Sequence, residues 1–143
     1  MEKLEKINDL LKQKEINVER VKDCFETVLK KEISYSHKIS KFEGDFPTFI
    51  EPVYIGENVK IGDDVMIGPN VYIGKNVTIS DYVEITNTII LDGVTIGENL
   101  FFEKCIVGEG SNLNFRNARI KNKIILGEGQ SLDEIKQVPI IIK

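Results

Sequence analysis

The sequence predicts a mainly β fold, a three-sided solenoid of short stacked strands that is preceded by an α-helical arm. Three observations lead to this prediction. A pattern of six residues repeats from Ile55 to Ile85, two shortened repeats lie seventeen residues apart, and the first 32 residues carry an apolar stripe with helical spacing. Together they indicate one repeating domain with a non-repeating flank.

The six-residue repeat consists of an aliphatic residue, a glycine, two turn-forming residues, a valine and a variable position. A helix would need apolar spacings of three and four, and a half-buried strand would need strict alternation. A fixed period of six fits neither, so it indicates a repeat architecture in which each short strand ends in a corner. The aliphatic positions are Ile55, Ile61, Ile67, Ile73, Ile79 and Ile85, and the valines are Val59, Val65, Val71, Val77 and Val83.

The third position after each aliphatic residue is predicted to turn a corner. Corners require left-handed backbone, which Asn, Asp and Gly adopt with the least strain. The inward Ile and Val side chains suit a pleated surface, and each would contribute about 1.5–3 kcal/mol by burial. No repeat can bury its own apolar face, so stability must come from stacking. The predicted corner residues are Asn58, Asp64, Asn70, Asn76, Asn99 and Gly110.

Two shortened repeats indicate that each coil has three sides. The strings Thr88-Ile89-Ile90 and Cys105-Ile106-Val107 lie where the repeat is one residue short, and they are seventeen positions apart. A spacing of seventeen residues equals one coil of three six-residue sides in which one side is a residue short. The second shortened side is therefore expected to stack on the first.

The same register assigns the outward side chains to three faces, of which two are apolar and one is polar. An exposed apolar patch usually indicates a partner surface. The two apolar faces are therefore either subunit interfaces or surfaces that this chain's own helices or tail cover. The sets are Tyr54 with Tyr72, Met66 with Glu84 and Phe101, and the polar set Lys60, Thr78 and Thr95. The interface candidates are Tyr54, Tyr72, Met66 and Phe101.

Residues 1–33 are expected to form the helical arm. Asn17 is a predicted N-cap, so two helices, at about 2–14 and 18–32, are favoured over one long helix. The apolar stripe of the arm must pack on the solenoid or on another subunit, because the arm is too short to bury it alone.

The remaining segments are a connection and cap at 34–48, the solenoid at 49–126 and a C-terminal tail with a final strand at 127–143. An uncovered coil would expose unpaired strand edges at the start of the solenoid. The aromatic residues expected to cover that end are Phe42, Phe46 and Phe49.

The composition argues against several classes of function. The formal net charge is −4 and no basic stripe is present, so no nucleic-acid partner is expected. No run of about 18 apolar residues occurs, and the charged N-terminus is unlike a secretory signal, so no membrane partner is expected. The two cysteines, Cys24 and Cys105, have no metal-ligand spacing. A cytoplasmic location is the expectation.

The sextets resemble the hexapeptide repeat of left-handed parallel β-helix proteins, and the left hand is implied by that resemblance alone. The fragments GPNVYIG, VEITNTIILDGVTIG and CIVGEG are more specific than a generic repeat. They resemble the C-terminal β-helix of sugar-1-phosphate nucleotidylyltransferases, in particular the bifunctional enzymes that carry an amino-sugar N-acetyltransferase β-helix. The resemblance covers residues 51 to about 113.

The resemblance also implies where catalytic groups would lie. The nucleotidylyltransferase domain, with its glycine-rich nucleotide loop, has no counterpart in the 143 residues. In the acetyltransferase arm a histidine after an Asp-Gly pair acts as the general base, and here Glu98 or Asn99 occupies that place after Asp92-Gly93. The only histidine, His37, precedes the recognisable repeats, and a single histidine also argues against a three-histidine metal site. Glu98 and His37 are therefore the catalytic candidates, and no metal is expected.

Two main functions follow as hypotheses, and the sequence leaves open whether the chain is an enzyme. A polymerising scaffold is a third, which the irregular terminal segments oppose because they would block end-to-end stacking. The first is a non-catalytic β-helix module that serves subunit assembly or regulation, without a cofactor. The alternative is a trimeric acyltransferase that transfers acetyl from acetyl-CoA to an amino sugar or nucleotide sugar. In either case a homo-oligomer is expected, with a trimer favoured, and a separate catalytic subunit is a further candidate partner.

Overall fold

The computed structural model describes residues 2–35 and 38–141, and it contains the predicted parallel three-sided solenoid with an N-terminal helical arm. The arm comprises α1 (Glu2–Leu11), α2 (Val18–Thr27), a π-helical turn (Val28–Glu32) and the short α3 (Ile33–Tyr35). The predicted break between two helices is confirmed. The predicted N-cap is confirmed too, because Asn17 Oδ1 accepts a hydrogen bond from the backbone N of Arg20 at 3.2 Å.

The solenoid is built from strands of two to four residues, and successive strands pass from one side of the coil to the next. The first nine are β1 (Lys38–Ile39), β2 (Phe42–Gly44), β3 (Thr48–Phe49), β4 (Val53–Ile55), β5 (Val59–Ile61), β6 (Met66–Ile67), β7 (Val71–Ile73), β8 (Thr78–Ile79) and β9 (Glu84–Thr86). The others are β10 (Thr88–Ile90), β11 (Thr95–Ile96), β12 (Leu100–Glu103), β13 (Ile106–Val107), β14 (Asn112–Leu113), β15 (Ala118–Lys121), β16 (Lys123–Leu126), β17 (Glu128–Gly129) and β18 (Lys136–Pro139).

Three sheets form the three sides, and we name each by its outer surface. The helix-covered face has the strand order β1-β4-β7-β10-β13-β16-β18, in which β18 alone runs antiparallel. The polar face has the order β2-β5-β8-β11-β14-β17. The open face has the order β3-β6-β9-β12-β15. Strands that are neighbours in a sheet therefore belong to successive coils.

The interior is filled by the predicted isoleucines and valines, stacked in register. Ile55 lies beside Ile73, and Ile67 lies beside Ile85, in adjacent strands. The predicted seventeen-residue stacking is confirmed, since Ile89 pairs with Ile106 in register. All eleven Ile and Val residues of the repeat are buried. The solenoid therefore has a continuous apolar core, as a stack of units that cannot bury themselves requires.

The predicted corner residues all adopt left-handed backbone. Their φ angles are 57° for Asn58, 55° for Asp64, 58° for Asn70, 59° for Asn76, 54° for Asn99 and 71° for Gly110. Asparagine side chains also bond between coils, since Asn58 Nδ2 donates to Asn76 Oδ1 at 2.8 Å and Asn99 Nδ2 donates to Asn117 Oδ1 at 2.8 Å. Asparagine thus adopts the left-handed backbone that the corner requires, and its side-chain amide forms hydrogen bonds between coils.

The solenoid extends beyond residues 49–126 at both ends. The segment interpreted as a connection contributes the strands β1 and β2 of a first coil, and the tail contributes β17 before the antiparallel β18. These strands lack the isoleucine–glycine repeat, but backbone groups still pair them with the next coil, which any residue but proline can do in full. Phe42 and Phe49 pack edge to face at 5.5 Å against the core end, as predicted. The same prediction for Phe46 is wrong, because its side chain is 97% exposed.

The arm packs on the solenoid and covers one of the two apolar faces. Its buried side chains form a cluster with the outward residues of three neighbouring coils, Ile89, Ile106 and Ile124, which are 0% exposed. Among the described residues, no helix is long and apolar enough to cross a membrane. The arm residues in the cluster are Leu4, Ile7, Leu11, Val21, Cys24, Phe25, Val28, Leu29 and Ile33.

Replacing Ile67 by aspartate is expected to abolish folding, because it places an unpaired charge in a position that is 0% exposed. The loss should exceed about 4 kcal/mol, a large part of the stability of a domain of this size. Met66→Asp is the matched control, since the neighbouring side chain points outward and is 40% exposed. Circular dichroism and thermal unfolding of both variants provide the measurement, and a folded Ile67→Asp protein would contradict the assigned register.

Candidate functional site

The catalytic candidate Glu98 lies at the corner between the polar face and the open face. It is exposed, and it lines a groove of about 490 Å³ that runs along this corner. Successive coils place other carboxylates beside it, including Asp63 and Asp81. The charged side chains that line the groove are mostly acidic: Glu43, Asp45, Asp63, Asp81 and Glu98, against the single cation Lys60.

Two corner carboxylates have structural hydrogen bonds. Asp81 Oδ1 accepts from the backbone N of Asp63 at 2.8 Å, and Asp92 Oδ1 accepts from the backbone N of Lys75 at 3.0 Å. In both cases the carboxylate caps the corner of the preceding coil. Asp92 and Glu98 lie on different corners, Asp92 in the cleft beside α1 and Glu98 in the acidic groove. The structure therefore does not bring these two carboxylates together.

The other catalytic candidate, His37, lies outside the described residues. Among residues 2–35 and 38–141, no group of three or more His, Cys, Asp or Glu side chains is arranged to hold a metal ion.

Cys105 is a buried residue of the core. Its Sγ lies 3.2 Å from the carbonyl oxygen of Ile120 and 3.3 Å from that of Glu103, so the thiol is a hydrogen-bond donor. Burial raises the pKa of the thiol from 9.0 to about 11. Since the thiolate is the nucleophile, this position favours the unreactive form at neutral pH. The backbone N of Cys105 also donates to Thr88 Oγ1 at 3.3 Å, which joins the two shortened sides.

The interface candidates Tyr54 and Tyr72 lie on the helix-covered face. Their rings stack with centroids 4.9 Å apart and planes at 14°, and Tyr72 packs against the arm cluster. Burial, followed by the negative charge of Asp92, raises the pKa of Tyr72 to about 12. Of the two alternatives for this face, the structure supports covering by the chain's own helices.

The interface candidates Met66 and Phe101 lie on the open face, where no other element of the described chain is packed over the sheet. The guanidinium carbon of Arg119 lies 4.9 Å from the centroid of the Phe101 ring, a cation–π contact. On the next column, Lys121 Nζ lies 3.9 Å from a carboxylate oxygen of Glu103. A cleft of about 360 Å³ lies beside these residues, between Tyr82 and Arg119.

Exposed apolar side chains are concentrated on the open face and at its two corners. Four of the six large apolar side chains that are exposed among the described residues lie there. They are Phe46 (97% exposed), Tyr82 (58%), Ile50 (43%) and Met66 (40%). Phe46 and Tyr82 also hold left-handed backbone, with φ of 50° and 59°, which costs roughly 1–2 kcal/mol for a residue of this type. Corner geometry alone would favour asparagine at both positions.

The cations of the open face were missed by sequence reasoning. Arg119 lies beside Phe101, and Lys121 lies beside Glu103, in adjacent strands. The repeat pattern becomes unrecognisable after Leu113, so these residues had no assigned face. The eighteen-residue offset from Phe101 to Arg119, equal to one full coil, was the signal that could have found them.

The raised pKa of Cys105 predicts how stability depends on pH. A folded-state value of about 11, against 9.0 for the free thiol, means that the stabilisation is fully present below pH 9 and is lost as the pH rises towards 11. Between pH 8 and 10.5 the wild-type chain should lose about 2 kcal/mol more unfolding free energy than Cys105→Ala, in which the other titrating groups are unchanged. Urea unfolding of both proteins at the two pH values checks this, and equal losses would contradict it.

Comparison with known proteins identifies the family of this chain. The family model described as the GMPPB C-terminal domain matches residues 49–138, well over half of the chain. A solved structure, a maltose O-acetyltransferase from Clostridium difficile 630, is 16% identical, with a TM-score of 0.33 over 99% of this chain and 86% of that chain. The search of curated proteins found no match. On the family match, the chain belongs to the family of the GMPPB C-terminal domain, the C-terminal domain of sugar nucleotidylyltransferases.

Proposed function

We propose that this chain is a non-catalytic β-helix module whose role is to assemble subunits. The observation that carries the proposal is the open face, where apolar and cationic side chains remain uncovered while the other apolar face is sealed by the chain's own arm. Assembly joins copies of this chain, and it extends to a catalytic subunit where the nucleotidylyltransferase domain is on a separate chain. The role needs no cofactor.

The apolar exposure supports an assembly role over a solvent-facing one. Large apolar side chains scattered singly on a surface are normal, but a cluster on one face usually marks a binding surface. Met66 and the ring of Phe101 lie on the same sheet, and Tyr82, Phe46 and Ile50 lie along its edges. Aromatic residues, Met and Arg are the types enriched in protein interfaces, and the open face contains all three.

The acidic groove argues against the alternative function, an acyltransferase that uses acetyl-CoA. Coenzyme A carries several phosphate charges, and a groove with five carboxylates and one lysine repels such a ligand. The residues around Glu98 therefore do not fit this cofactor. Two other groups of the coil that could take part in proton or acyl transfer, Cys105 and Asp92, have structural hydrogen bonds instead.

The assembly role predicts that the purified chain transfers no acetyl group and forms a defined oligomer. Acetyl-CoA is incubated with the protein and a panel of amino sugars and nucleotide sugars, and release of the CoA thiol is followed. The wild type and Glu98→Ala should both stay at the blank rate. Sedimentation of the same samples should show an assembly larger than one chain. Transfer that Glu98→Ala abolishes, or a chain that is monomeric at every concentration, would contradict the proposal.

A further inference from the structure

We propose that two copies of this chain pair through the open face with their coil axes antiparallel, so that Glu84 of each copy meets Arg119 of the other. This inference deepens the assembly role and rests on it. It names the partner, a second copy of this chain, and the residues that select it.

The charges of the open face are arranged asymmetrically about Phe101. Outward residues of three successive strands form one column, in which Glu84 lies beside Phe101 and Phe101 lies beside Arg119. In this column the carboxylate of Glu84 lies on the strand at one side of Phe101, and the guanidinium of Arg119 lies on the strand at its other side. A surface of this kind is complementary to itself when a twofold axis passes near the ring and follows the strand direction. The axis brings the two Phe101 rings together and makes two symmetric Glu84–Arg119 pairs.

The competing parallel arrangement is unfavourable. It would set each strand of the open face against the same strand of the other copy, so with the axis along the Phe101 column Glu84 would face Glu84 and Arg119 would face Arg119. Like charges placed opposite each other weaken an interface, and this arrangement lacks the two Glu84–Arg119 pairs. In the antiparallel arrangement the two copies of Glu103 approach the axis, and each is already paired with its own Lys121 at 3.9 Å.

The position and exposure of Arg119 suit a contact with a second chain. Its guanidinium lies 4.9 Å above the Phe101 ring, which keeps the side chain extended over the sheet, and the residue is exposed. Arginine stacked on an aromatic ring retains its planar donors for a carboxylate. Tyr82, an aromatic residue in left-handed backbone, lies just before β9 at the edge of the proposed contact. Strain kept at an exposed position indicates a function for the side chain, and a contact with the second copy supplies one.

The proposed pair differs from the trimer that the sequence favoured, which is a second possible assembly. A threefold ring joins two different, mutually complementary surfaces of each chain, whereas a twofold pair needs one self-complementary surface. The helix-covered face is occupied by the arm, and the corner groove of the polar face is acidic. The open face is the surface that remains, and its charges fit a twofold pair.

The size of the open face predicts a weak pair. With the axis on β12, the strands that overlap in both copies are β9, β12 and β15. Three strands about 4.8 Å apart and about four residues wide give a contact of roughly 14 by 13 Å, well below the ~800 Å² per partner of a standard interface. The pairing is therefore expected to depend on protein concentration. Because it relies on ion pairs at the rim, it should also weaken as salt is raised.

Charge reversal provides the test, measured by sedimentation velocity from low micromolar to submillimolar protein. Glu84→Arg and Arg119→Glu should each raise the dissociation constant about ten- to a hundredfold, since each sets like charges against each other. Mixing the two single variants should restore pairing, because the two reversed positions then meet as an ion pair of swapped polarity while the native Glu84–Arg119 pair remains at the second site. Matched controls on the polar face are Glu43→Arg and Lys60→Glu, both exposed, which should leave the dissociation constant unchanged.

The outcomes separate this inference from the assembly role on which it rests. A wild-type oligomer that is insensitive to both reversals, a trimer, or a mixture that fails to pair would overturn the antiparallel contact while leaving an assembly role intact. A wild-type chain that is monomeric at every concentration would overturn both. Circular dichroism of each variant checks that folding is unchanged, as expected for substitutions at exposed positions.

Discussion

The structure depends on the narrow, dry interior of the coil. Each side contributes two inward aliphatic side chains, and neither can be buried until the next coil is stacked on it. The Ile67–Ile85 and Ile55–Ile73 pairs show how strict the stacking is, since a shift of one residue would turn every inward side chain outward. Because the interior is filled, chemistry and recognition are restricted to the outer faces and the corners.

The three outer faces differ in how they are covered, and this difference supports the proposed role. The helix-covered face has an apolar outer layer that the arm completes, so it acts as a second core rather than a binding surface. The polar face and its corner carry an acidic groove that is unsuited to an anionic cofactor. The open face combines exposed apolar groups with Arg119 and Lys121, and it is the surface on which the assembly proposal depends.

The coil and its corners could be predicted from sequence because they are set by local constraints. Inward positions require an aliphatic residue and corners require left-handed backbone. The residue types of Ile85 and Asn76 therefore indicate an inward position and a corner, respectively. The first and last coils could not be predicted in this way, because β1 and β17 do not carry the repeat and only their backbone pairing with the next coil places them in the fold. The prediction that Phe46 covers the end of the solenoid was wrong. The sequence shows that an aromatic residue lies near that end but does not show whether its side chain points inward.

Only part of the open face could be predicted from the sequence. The register assigned Met66 and Phe101 to it, but Arg119 fell in a segment without a recognisable repeat, and the covering of the Tyr54 face depended on contacts between distant parts of the chain. The charge pattern that suggests a partner therefore emerged only from the coil stacking in three dimensions.

The central claim is that one apolar face is sealed within the chain and the other is reserved for a second copy. Hydroxyl-radical footprinting of the wild-type protein at low and at high concentration tests it most directly. The account predicts that oxidation of Phe101 and Tyr82 falls as concentration rises, while that of Tyr54 on the helix-covered face stays constant. Oxidation of Phe101 and Tyr82 that is independent of concentration, or protection that appears along the acidic groove instead, would contradict it.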